Sequence, residues 1–188
     1  MENLKEAQAD MRIGYMNGSI GIIVSGTMWL TSGLVALVDT SAHAIWALLI
    51  GGVFIFPVSS VIEKIIGQRG AHSKGNPLGA LAMEGTIWMI MCLPLAYGLS
   101  LLHHEWFFQG MLIIIGGRYL TFATIYGLRL YWILGALLGG AGYVLFSFQQ
   151  ASYVSALTGG TIEVVFGIFM LIRLKKIRKQ NFETFNWC

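Results

Sequence analysis

Arg118 stands in the stretch IIIGGRYLTF, residues 113–122, inside an apolar run that spans 106–128 and holds no other charge. Glu84 lies inside a second such run, 78–102, and Glu163 inside a third, 154–174. Each of these charges costs at least a few kcal/mol in hydrocarbon by insertion scales, so the three are expected to face inward and find one another. The chemistry available is narrow. A guanidinium binds a small anion, and a carboxyl takes up a proton or cation; desolvation pushes it toward its neutral form and a nearby guanidinium pulls it back. Asn17 and Thr86 add neutral hydrogen-bonding groups close by. Arg118, Glu163, Glu84, Asn17 and Thr86 are therefore expected to line a polar cavity open to the cytoplasm. The competing expectation is a buried Arg118–Glu163 ion pair that sets helix register and binds nothing.

Depth and small neighbours support that grouping. Counted at the α-helical rise from the cytoplasmic ends of their runs, Arg118 lies about 15 Å deep and Glu163 about 17 Å, so the two are nearly level. Glu84 lies about 9 Å in and Asn17 about 6 Å in. Gly159, Gly160 and Gly167 share the helical face of Glu163, a surface that lets another helix approach closely. Around Arg118 the equivalent positions are Ile114, Ile115, Thr121 and Phe122, so its partner must come from another helix.

The elements that must position these residues follow from the composition. Of 188 residues, 56% are hydrophobic and 11% charged, against about 25% charged in a soluble domain. Mean hydropathy is +0.69. This is an all-α polytopic membrane protein, with predicted transmembrane spans at 13–38, 42–66, 78–102, 106–128, 130–149 and 154–174. Residues 1–12 read as a cytoplasmic tail, with no cleavage signal after them, and 175–188 as a basic, aromatic tail. The very short links DTS (39–41) and HHE (103–105) require antiparallel neighbours, and the glycine-rich 67–77 reads as a loop. Three helical hairpins are expected, and short matches such as MNGSI (16–20) with MEGTI (83–87) suggest that they are internal repeats. Pro57 and Pro94 could kink their helices, and the pairs Gly14/Gly18 and Gly135/Gly139 have helix-association spacing.

Charge sets the expected orientation. Eleven of the twelve Lys and Arg residues fall at one set of ends, which the positive-inside rule assigns to the cytoplasm together with both termini. The exception is Arg118. A multi-pass protein of a cell membrane is expected, with no nucleic-acid partner despite the net charge of +3. The bilayer itself is the expected partner, with anionic lipid at the basic C-terminal tail carrying Phe182, Phe185 and Trp187, and a homo-oligomer is compatible with the glycine faces. Glu63, Gln109, Gln149 and Gln150 are read as interfacial residues.

Other chemistries lack motifs. There is no P-loop, no H-E-x-x-H, no G-x-S-x-G and no bis-histidine pair within a span, and no cofactor is expected. His103, His104 and His43, with Glu105, are weak candidates for zinc or copper. Cys92 and Cys188 are not expected to pair. The functional expectation is a small protein that transports or binds a small solute or ion, and proton coupling would fit it. The alternatives are an accessory or membrane-stress bundle whose charges are structural, or a lipid-modifying enzyme without a motif.

Overall fold

The computed structural model describes residues 3–185, with side chains up to residue 176. The described residues form α-helices and no strand: α1 (Leu4–Gly14), α2 (Ser19–Val38), α3 (Ser41–Ile65), α4 (Pro77–Ser100), α5 (His104–Tyr126), α6 (Leu130–Ser147) and α7 (Ser152–Phe185). Six are long and apolar enough to cross a membrane, the first counted from Met16 and the last to Lys176. This is a multi-pass membrane protein. Both α3 and α4 run through their prolines. Large apolar side chains such as Val53, Phe54, Met91 and Leu95 stand exposed along α3 and α4, as lipid-facing helices require.

The first expected span is not one helix. The chain breaks at a 3₁₀ turn, Met16–Gly18, where Met16, Asn17 and Gly18 all have positive φ (49°, 58° and 78°). Gly18 is required here: a side chain would meet the Tyr131 hydroxyl and the Tyr126 ring, and its φ is strained for other residues. The Gly14/Gly18 pair therefore brackets an elbow and does not form a helix-packing face. Residues 4–14 are not a free tail but a separate helix. At the other end, 175–185 continue α7 as helix; Arg173, Lys175 and Lys176 are exposed, while the remaining cations and the aromatic side chains of the anionic-lipid expectation, with Cys188, lie outside the described residues.

In lipid, apolar burial does not drive helix association, so close packing of small residues must. The most extensive contact is α2 along α7. A Cβ on Gly26 would stand 2.9 Å from the Gly160 carbonyl, and one on Gly160 2.8 Å from the Gly26 carbonyl. The backbones touch. Gly116 on α5 meets Gly135 and Gly139 on α6 in the same way. Consecutive pairs α2–α3 and α4–α5 also pack, whereas α7 rests on α2 far more than on its neighbour α6. Trp29, Phe107, Phe108 and Leu112 fill the core towards the end remote from α1.

Gly160→Ala is expected to destabilise the bundle by about 1–3 kcal/mol, as overpacking does. Gly140→Ala, with open space around it, should leave the melting temperature unchanged in the same detergent.

Candidate functional site

Two polar centres flank α5 on adjacent faces, because Arg118 and Tyr119 are consecutive and point about 100° apart. Arg118 faces α4. Its Nη2 donates to Thr86 Oγ1 (3.0 Å), its Nη1 lies 3.4 Å from the Met89 sulfur, and its guanidinium carbon stands 5.4 Å from the Phe122 ring centre. Its Nε is buried and donates to nothing. Tyr119, on the adjacent face, donates to Glu163 Oε1 on α7 (2.9 Å). Glu163 is 0% exposed, and its Oε2 has no hydrogen-bond partner. Ser25 on α2 faces the same carboxyl without the geometry of a full bond.

Arg118 and Glu163 are neighbours through space but make no ion pair; the described ion pairs are Asp10–Arg69, Asp39–His43 and His103–Glu105. Thr86 joins Arg118 as expected, and the other two residues do not join the group. Glu84 is exposed on α4, since two residues along a helix turn a side chain about 200° away from the face that Thr86 presents to α5. Asn17 contributes its backbone carbonyl to the Tyr131 hydroxyl instead of a side chain to either charge. The expected shared cavity is replaced by two separate centres, and a shallow groove lined by Leu157, Thr158, Thr161 and Ile162 lies on α7 apart from both.

Several participants escaped the sequence reading. Tyr119 begins an aromatic stack that continues through Tyr131 (6.1 Å between centres) to Tyr126 (5.4 Å), with Phe122 packed edge-on against all three. Ser25 lies seven residues before Ser32 on the same face of α2, and both are buried; that spacing was its available signal. Glu63, expected at the interface, is 2% exposed with an unpartnered Oε2. Gln109 is likewise fully buried, and its amide donates to the Leu145 and Gln150 carbonyls at the end of α6.

The histidines do not converge. His43 Nδ1 is 2.7 Å from Asp39, His103 is 3.5 Å from Glu105, and no described group of three His, Cys, Asp or Glu side chains could hold a metal ion.

A cap closes the α1 end of the bundle. Asp10 on α1, 8% exposed, accepts from the Arg69 guanidinium, the Ser73 amide (2.8 Å) and hydroxyl (2.7 Å), and the Asn76 amide (2.9 Å). Arg12 donates to the Tyr126 carbonyl (2.7 Å) and Gln8 to the Thr124 carbonyl (2.8 Å), tying α1 to the end of α5. The Tyr15 hydroxyl lies 2.9 Å from His72 Nδ1, and the Gly70 amide donates to Gly14. Helix α1 and the 67–76 loop thus form one hydrogen-bonded layer.

The chain belongs to a family of unknown function, DUF7010, whose model matches residues 4–173. That match takes in α1, the elbow and both polar centres. No curated protein and no solved structure matches the chain.

Burial works against ionisation of Asp10, but the donors from Ser73, Asn76 and Arg69 outweigh it and hold its carboxyl well below the usual carboxylate range. A folded value below the unfolded one gives stability that is complete above about pH 4 and is lost only as pH falls through the folded value. Hydrogen exchange in α1 should therefore be equally slow at about pH 5 and about pH 7 once corrected for intrinsic rates. Asp10→Asn should raise it at both.

Proposed function

We propose that the protein binds a small solute or ion within the membrane and carries it across, with Glu163 as the proton- or cation-accepting group and Arg118 as a separate anion-binding group. One observation carries this reading: neither intramembrane charge is neutralised by a residue of opposite sign. A structural ion pair would commit the guanidinium and carboxylate to each other; holding each on neutral partners, without a described counter-charge, costs more than either pairing or apolar replacement. Groups held that way in a bilayer mark ion and substrate pathways. Tyr119 and Ser25 orient the Glu163 carboxyl while one oxygen stays open. Thr86 and Phe122 fix the guanidinium in a seam against α4, which packs mainly on α5.

The α1 end carries the lysines and arginines of α1, the 67–76 loop and the start of α6, so it is assigned to the cytoplasmic side of a cell membrane. In that orientation the cap covers the cytoplasmic mouth and the elbow at Met16–Gly18 is its hinge.

A non-transporting bundle is favoured by one observation, the close backbone contact of α2 and α7 beside Glu163. Flux measurements separate the two readings. In proteoliposomes bearing a pH gradient, the wild type should move protons, and Glu163→Gln and Arg118→Met should lower the rate by at least about tenfold while remaining folded. Exchanging the two charges in one chain should not rescue it, because no direct pair exists to be restored. Wild-type flux from the folded single variants would sink the transport reading.

A further inference from the structure

The carboxyl of Glu63, near the end of α3, is buried to a degree that nothing in the Arg118 and Glu163 centres explains. Only 2% of the residue is exposed, Oε2 has no hydrogen-bond partner, and none of the ion pairs among the described residues reaches it. The adjacent Lys64 is exposed. One turn earlier on the same face, Ser60 Oγ is also buried without a partner, and the Gly70 backbone covers it: a Cβ on Gly70 would stand 3.0 Å from the Ser60 carbonyl. Two orphaned oxygens thus lie under the cap.

The groups that face this carboxyl come from two directions. The elbow supplies Tyr15 and α5 supplies Tyr126, both of which feel its charge, and Asp10 in the cap acts on Tyr15 in the same sense. No described lysine or arginine neutralises it: Arg69 is committed to Asp10 and Arg12 to the Tyr126 carbonyl. An ionised carboxylate held there has no donor at Oε2 and no described cation to balance it, a combination that buried groups do not sustain. Tyr126 is in turn the last ring of the stack that begins at Tyr119 and Glu163. The two unpaired carboxyls therefore stand at opposite ends of one three-tyrosine stack.

We infer that Glu63 is a second proton-binding carboxyl, a station on the cytoplasmic side in series with Glu163 and closed off from water by α1. A carboxylate oxygen there takes the proton from hydronium and releases water, forming an O–H bond that needs no room beyond the existing packing. A larger cation would have to displace Tyr15 or the 67–76 loop. Exchange with the aqueous phase requires the cap to lift, and the left-handed elbow is the point at which α1 can swing. The place of Glu63 in a relay rests on the proton-handling reading of Glu163, whereas its protonation does not.

Infrared difference spectroscopy of the full chain in lipid nanodiscs, titrated from about pH 4 to about pH 9, reads the two sites separately. The expected result is a protonated-carboxyl C=O band that Glu63→Gln abolishes and Glu63→Asp shifts, distinct from the band lost in Glu163→Gln. In D₂O, Asp10→Asn should speed the isotope shift of the Glu63 band at least severalfold and leave the Glu163 band's rate unchanged. An ionised-carboxylate signal from Glu63 at every pH, as a bound metal cation would give, overturns the inference. So does a spectrum that neither Glu63 variant alters. A Glu63 band that persists while the Glu163 variants transport normally overturns the transport reading instead and leaves this site standing.

Discussion

The backbone contact of α2 and α7 at Gly26 and Gly160 is the constraint on which the rest of the structure depends. It brings the Glu163 Cβ against Gly26 and seals the side chain between α2, α5 and α7, where Tyr119 and Ser25 meet the carboxyl. The carboxyl is fully buried there because the helices approach so closely at the glycines. The same closeness provides the dispersion contacts that hold helices together in lipid, where apolar burial gives no advantage over the acyl chains. Packing and polarity are thus one feature: the glycines that stabilise the bundle also isolate its charge.

Helix α5 distributes the polarity between two sides. One residue step separates a guanidinium committed to α4 from a phenol committed to α7, so the charges sit at similar depth without bonding. Below them the tyrosines descend along α5 and across to α6 until they reach the elbow at Gly18. There the Tyr131 hydroxyl holds the Asn17 carbonyl, and the cap closes over the end with Asp10 at its centre. The polar groups follow one route from the interior to a single end of the bundle, on the side where cationic residues collect.

Much of this was legible locally. Apolar length and sparse charge sufficed to show six membrane helices, and the singular position of Arg118 and Glu163 within apolar runs marked them out. The glycines flanking Glu163 correctly signalled a close helix, though not which one. Glu63 and Gln109 lie near helix ends, where depth along the sequence suggests an interface; their burial under the cap and the end of α6 was not legible there. Glu84 was overvalued because depth alone says nothing about facing. The elbow was missed because Asn17 and Gly18 are tolerated inside an apolar helix, and left-handed φ there is enforced by the tyrosines packed against it.

By itself, then, the sequence determined the solvent this chain folds in, its helical content and the expense of its intramembrane charges, since each of these depends on residues adjacent along the chain. Tertiary structure alone decided which charge faces which helix, that Arg118 and Glu163 remain unpaired, and that α1 folds back as a cap. Those outcomes turn on the rotation of each helix about its own axis and on contacts such as Asp10 with Ser73 and Asn76, more than 60 residues apart. No local pattern encodes such a rotation; the backbones that touch at glycine set it.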